Sequence, residues 1–167
     1  MIVTIWRHGE AGSAFTDRER ELTGRGTDDV GFGCQQFHEV CNERGLPHPD
    51  LILHSAWVRT TQTADIIASA FTHSERRASN SLIPGCTPAD VDSLLDQLIS
   101  DRAQPVHLVL VSHQPLVSRL ADHYLDNSGR VPSLSPGGLV TLALEVPAIG
   151  CGQLLFWALP PGYEAHV

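Results

Sequence analysis

Three short segments collect the residues that could do chemistry: Arg7-His8-Gly9-Glu10, then His54-Ser55 with Arg59 four residues beyond the serine, and Ser112-His113-Gln114-Pro115. Two arginines and two or three histidines brought to one place would make a locally positive pocket. A phosphoryl group is its natural guest, because guanidinium forks bind the oxygens in pairs and helix N-termini add oriented N–H groups.

The rest of the composition narrows the choice. Net charge is −8, which argues against nucleic acid and anionic membrane as partners, since both call for a basic face. All 11 basic residues are arginine, so a Walker-type lysine, a Schiff base and a catalytic lysine are excluded by inventory. Cys34, Cys41, Cys86 and Cys151 have neither paired nor zinc-ligand spacing and read as small buried hydrophobes. His38, His48, His73, His107, His123 and His166 show no ligand-like spacing and read as ordinary surface or core residues.

The elements that must position the three segments follow from periodicity. Residues 2–6 are a β-branched run that reads as a buried strand, so Arg7 and His8 fall at a strand's C-terminal end. Residues 12–21 are polar and aperiodic. A helix is expected from near Thr23, a capping residue, with Val30, Cys34, Phe37 and Cys41 on its core face and Gly45 at its end, although Gly31 and Gly33 weaken its middle.

Residues 51–53 read as a short strand leading through His54 and Ser55 into a helix over 58–71, which places Arg59 in that helix's first turn. Residues 72–80 are expected as loop. Thr87-Pro88 starts a helix with Val91, Leu94, Leu95 and Leu98 as its apolar stripe. Residues 106–111 form the plainest strand, followed by a helix over 116–124. Strands over 139–144 and 154–159 complete the set.

Strands alternating with helices imply right-handed crossovers and a three-layer α/β sandwich, its sheet mostly parallel with helices on both faces. The 167 residues suit one globular domain spanning 1–167. With no apolar run long enough to cross a bilayer and no secretory leader, a cytoplasmic protein is expected. In such sheets ligands bind beyond the carboxyl ends of the strands, where these three segments lie.

The chain here resembles the histidine phosphatase superfamily. Arg7-His8-Gly9-Glu10 is similar to its signature after the first strand. Ser55, Arg59 and Gln62-Thr63-Ala64 are similar to its second motif, and Ser112-His113-Gln114-Pro115 to its third; Leu22-Thr23-Gly24-Arg25-Gly26 matches the Leu-Thr-x-x-Gly before its first helix. The opening Arg-His-Gly-Glu-Ala and the short length look most like the SixA-type phosphohistidine phosphatases within it.

The resemblance implies a mechanism. His8 attacks phosphorus, Arg7 and Arg59 bind the phosphoryl oxygens and keep His8 neutral, and a protonated His113 stabilises the charge that grows in the transition state. Water then hydrolyses a phosphohistidine enzyme intermediate. Gly9 and Ser55 are expected to touch the substrate. Glu10 has two readings, a loop carboxylate bonded to the motif's backbone, which is favoured because carboxylates beside arginines stay ionised, and a proton-transfer group. No cofactor or metal is called for.

One departure bears on the substrate. Many phosphomonoesterases of the superfamily carry a glutamate acid where this chain reads Ser81-Leu82-Ile83-Pro84-Gly85-Cys86. An alkoxide needs a proton to leave, whereas an imidazole protonated on its far nitrogen departs neutral. The expected substrate is therefore phosphohistidine on a signalling or phosphotransfer protein. The alternatives are a small-metabolite phosphomonoesterase of the same superfamily, with Glu10 or Asp90 as acid, and a non-catalytic phosphate-binding module.

Overall fold

The structure is a computed structural model that describes residues 1–102 and 104–167. Its strands are β1 (Ile2–Arg7), β2 (Leu51–His54), β3 (Glu75–Ala78), β4 (His107–Ser112), β5 (Leu139–Leu144) and β6 (Gly152–Ala158), and its helices α1 (Gly24–Glu43), α2 (Val58–Ala70), α3 (Pro88–Ser100) and α4 (Leu116–Leu125). The six strands form one sheet in the order β3-β2-β4-β1-β5-β6. Neighbours β3, β2, β4 and β1 pair in parallel, and β5 runs antiparallel to both β1 and β6.

Alternation along the strands divides the interior into two cores. Val3, Ile5, Leu108 and Leu110 point to one face and pack with Val91 and Leu95 of α3 and Leu116 and Leu120 of α4. Trp6, Val109 and Val111 point to the other, against Val30, Phe37 and Cys41 of α1 and Ala64 and Ile67 of α2. The result is the expected three-layer α/β sandwich. Each buried Leu, Ile or Val contributes about 1.5–3 kcal/mol of transfer free energy, so the strand ends that carry the polar residues are held by apolar material on both faces.

One polar ladder interrupts the second core. The His107 ring donates from Nδ1 to the Pro47 carbonyl at 2.7 Å. Its Nε2 therefore accepts from the Thr4 hydroxyl at 2.8 Å, and Thr4 pairs with Thr141 at 2.9 Å. Burial pushes the His107 pKa down to about 4.

Several expectations are corrected. Residues 75–78, expected as loop, are strand β3, its residues exposed and three of the four charged, whose backbone pairs with β2 although its side chains carry no apolar alternation. Gly31 and Gly33 do not interrupt α1; Gly33 lets the Tyr163 ring close in, where a Cβ would stand 2.6 Å from it. Cys34 and Cys41 are buried, but Cys86 and Cys151 are only partly so. Within residues 12–21, Asp17–Glu19 forms a single 3-10 turn.

Candidate active site

Parallel strands β1, β2 and β4 end at one edge of the sheet, where residues at or just beyond the C-terminal ends of β1 and β4, with Arg59 of the helix after β2, line a cleft of about 400 Å³. Arg7, His8, Glu10, Asp17, Arg20, Arg59, Pro84, His113 and Gln114 form its walls. A larger hollow of about 640 Å³ at the opposite end of the strands, against Met1, Val106 and Gly152, gathers none of these arginines or histidines.

His8 continues β1, its backbone N–H donating to Ser112 O at 3.1 Å and its carbonyl accepting from Gly137 N–H at 2.9 Å. The ring is oriented by its neighbour: Nδ1 lies 2.8 Å from the Gly9 carbonyl, an oxygen that can only accept, so Nδ1 carries the proton and Nε2 the lone pair. Arg59 Nε–H donates to that Nε2 at 3.1 Å. The pKa of His8 is pushed down to about 4, first by burial, against the Gly9 hydrogen bond, and then by Arg59, Arg7 and Arg20. Burial is thus the leading cause of its neutrality, and the arginines add to it.

Arg7 donates from Nη1 to Leu134 O at 2.8 Å, while its Nε is buried with no hydrogen-bond partner among the described residues. Arg59 lies in the first turn of α2 with Trp57 beneath its guanidinium, 5.0 Å from ring centroid to Cζ. Besides His8, it donates to the Asp17 carbonyl at 2.6 Å and to Asp17 Oδ2 at 3.3 Å.

His113 follows β4, its ring centroid 5.2 Å from that of His8. Nε2 shares a 2.9 Å hydrogen bond with Ser55 Oγ, and Nδ1 is buried without a partner among the described residues. Burial, then His8 and Arg59, push its pKa down to about 3. The ring is therefore neutral in the resting site, and the expectation of a protonated His113 concerns the ring beside a bound phosphate, whose charge would add to that of Asp17 in favouring the proton.

Two more expected substrate contacts are placed otherwise. Ser55 is fully buried and does not line the cleft; its hydroxyl holds His113 and accepts the Trp57 N–H at 3.3 Å. Gly9 also lies behind the wall, with its N–H on Thr63 Oγ1 at 3.1 Å and its carbonyl on His8. It is glycine because the loop presses on α1: a Cβ there would stand 2.8 Å from Gly26 O and 2.9 Å from Val30 Cγ2.

Glu10 does face the cleft, but its Oε1 accepts from the hydroxyl of Thr23, the α1 cap, at 2.8 Å, a side-chain partner where the loop-carboxylate reading expected the motif's backbone. Asp90 caps α3 through the N–H and hydroxyl of Thr87, at 2.7 and 2.8 Å, and lies outside the cleft. His54 is buried, bonded to the Ser55 carbonyl and to Arg76, and likewise outside it.

Asp17 and Arg20 complete the wall and were not singled out in the sequence. Arg20 Nη1 donates to Asp17 Oδ1 at 3.0 Å, and its Nε and Nη2 bind the carbonyls of Gly12 and Ala11 at 2.7 and 3.2 Å. The pair sits in an aperiodic stretch whose only cue is its charge. Among the described residues no group of three His, Cys, Asp or Glu is arranged to hold a metal ion, and no helix is long and apolar enough to cross a membrane.

A buried imidazole whose lone pair accepts only from Arg59, set among three guanidinium groups, has the makings of an anion site beside a potential nucleophile, and the sheet that carries it has the histidine phosphatase fold. The chain is similar to the protein histidine phosphatase SixA solved with tungstate, at TM-score 0.78 and 23% identity over 96% of this chain and 97% of that one. A SixA-assigned protein from Agrobacterium tumefaciens aligns at TM-score 0.75 and 21% identity, over 95% and 97%. A mycobacterial glucosyl-3-phosphoglycerate phosphatase aligns at TM-score 0.65 and 17% identity, over 92% and 96%. No protein-family model matches the chain, and no curated protein matches its sequence.

Proposed function

We propose that the chain is a phosphatase that transfers a phosphoryl group from a phosphohistidine on a protein to His8 and then to water. The observation that carries the reading is the His8 ring, held by Gly9 so that a neutral Nε2 faces Arg59. Simple anion binding needs only the arginines. A fixed, uncharged imidazole beside them is what nucleophilic attack on phosphorus requires.

The leaving group is argued from the opposite wall. Pro84, in the stretch where many phosphomonoesterases of the resembled superfamily carry a glutamate acid, lines the cleft, and Glu10 is tied to Thr23. A site without a free acid favours a leaving group that departs neutral. SixA, a protein histidine phosphatase of this fold, supports this choice; the glucosyl-3-phosphoglycerate phosphatase shows that the fold also serves an ester.

The test is a comparison of kcat/KM for a phosphohistidine-bearing phosphotransfer protein, an aryl phosphate and a sugar phosphate, with acid-labile, base-stable phosphate trapped on His8. Cleavage of the first two and little of the third is expected. Preference for the sugar phosphate would replace this reading by the metabolite phosphatase, and binding of phosphate with no turnover of any substrate by a non-catalytic module.

A further inference from the structure

The hydrogen bonds of Arg59 have a direction that assigns work to Asp17. In a guanidinium, Nε–H and one Nη2–H point the same way from one edge, the edge on which carboxylates and phosphates bind in pairs. Here Nε donates to His8 Nε2 at 3.1 Å and Nη2 to Asp17 Oδ2 at 3.3 Å. The nucleophile and a carboxylate therefore stand side by side on the fork that a phosphoryl group would take, His8 at one end and Asp17 at the other.

In-line displacement puts the leaving atom on the far side of phosphorus from the attacking nitrogen. With phosphorus in front of the fork and His8 on one side, the far side is that of Asp17. The carboxylate does not depend on Arg59 to stay there. Its other oxygen is held by Arg20 Nη1 at 3.0 Å, and Arg20 is itself fastened to the carbonyls of Gly12 and Ala11.

Resting on the phosphohistidine reading above, we propose that Asp17 is a specificity-determining residue that accepts a hydrogen bond from the far N–H of the substrate's leaving imidazole. Hydrogen bonds from Arg20, with Arg59 nearby, hold the Asp17 carboxyl below the usual carboxylate range, so it is an acceptor and has no proton to give an alkoxide. The step balances without another reactant. The substrate ring enters protonated on its far nitrogen; the Nε2 lone pair of His8 forms the new N–P bond while the old N–P pair returns to the departing nitrogen, and the leaving imidazole keeps its far proton and departs neutral. Water then replaces His8 on phosphorus; its oxygen forms the new P–O bond, the N–P pair returns to Nε2, its two protons remain with phosphate, and His8 leaves as the neutral ring with Nδ1–H on Gly9.

The contact predicts opposite effects for two leaving groups. An imidazole presents N–H to Asp17, whereas a nitrophenolate presents growing negative charge, which a carboxylate opposes. The experiment measures kcat/KM of the full chain and of Asp17→Asn for phosphoimidazole and for p-nitrophenyl phosphate, with tungstate inhibition as the measure of anion binding. The amide oxygen still accepts from Arg59 or Arg20, so the turn keeps a partner.

Expected is a fall of about 10- to 100-fold in the ratio of kcat/KM for phosphoimidazole to that for p-nitrophenyl phosphate, the worth of a hydrogen bond to a charged acceptor, with tungstate still bound. An equal fall on both substrates would make Asp17 only a support for Arg59 and overturn the proposal; so would a larger fall on the ester, the mark of an acid, or an unchanged phosphoimidazole rate. Unmeasurable phosphoimidazole turnover by the unaltered chain would instead reject the phosphohistidine reading itself.

Discussion

Ser55→Ala separates a residue that holds the site from one that touches the substrate. The hydroxyl has two partners, His113 Nε2 at 2.9 Å and the Trp57 N–H at 3.3 Å, and it is fully buried. Removing it leaves a buried donor at Trp57 without an acceptor and a ring already lacking a partner at Nδ1 with none at either nitrogen. An unsatisfied buried polar group costs about 1–3 kcal/mol. Taking about 2 kcal/mol, a chain of this size loses roughly 4–8 °C in Tm. The catalytic effect is separate: an imidazole free to swing away from His8, now 5.2 Å off between centroids, lowers kcat by up to about 100-fold, the cost of misplacing a group by an ångström. Because the hydroxyl does not reach the cleft, KM should change little. Thermal unfolding and steady-state kinetics on an aryl phosphate check both parts. A variant with native Tm and kcat but a raised KM would refute the reasoning and return Ser55 to the phosphate.

His8→Ala should abolish turnover yet still bind tungstate, since Arg7 and Arg59 remain, whereas Arg59→Ala should weaken both; near-native turnover of the first, measured with binding by calorimetry, sinks the mechanism. Gly9→Ala should destabilise by roughly 1–3 kcal/mol, because its Cβ meets backbone at Gly26 O, 2.8 Å away; denaturant unfolding with an unchanged midpoint would contradict this. Stability should fall as pH drops from 7 to 5. The unfolded chain's histidines take up protons below about 6.5, while folded His8 and His107 stay neutral to about 4 and His113 to about 3. The loss is about 2 kcal/mol per buried histidine by pH 5, from 1.36 kcal/mol per pH unit, and a flat urea midpoint over that window would show that these rings are protonated in the fold.

What the sequence disclosed depended on where a residue's partners lie along the chain. Arg7, His8, Arg59 and His113 stand in short motifs at strand ends, and strand ends can be located from apolar runs such as residues 106–111. The fold brings those four side chains to one cleft. Asp17 and Arg20 escaped notice because nothing local marks them: their importance comes from Arg59, about forty residues on, and from carbonyls of their own loop. Strand β3 was missed for a related reason. An edge strand that buries no side chain has no alternation to read, and Glu75, Arg76 and Arg77 are the kind of charges that keep an edge from pairing with another chain. The roles of Gly9 and Ser55 were blurred because a motif names residues without saying which way they face.

The resting hydrogen bonds explain how an acidic chain can present a ready anion site. Arg59 is not bare; its fork is engaged by His8 Nε2 and Asp17 Oδ2, so no guanidinium edge is buried without an acceptor there. In the proposed reaction a phosphoryl group would replace those two acceptors with two oxygens, an exchange that leaves the count of hydrogen bonds on the fork unchanged and releases the His8 lone pair in the same movement. The gain must then come from buried groups that had no partner, Arg7 Nε–H and, where Nδ1 carries a proton, His113. Burial that keeps His8 neutral also leaves those atoms away from solvent, where a hydrogen bond to an anion is worth the most. Binding energy and nucleophile release are thus the same rearrangement, in which the phosphate takes the fork, Arg7 and His113 gain a partner, and the freed Nε2 faces phosphorus.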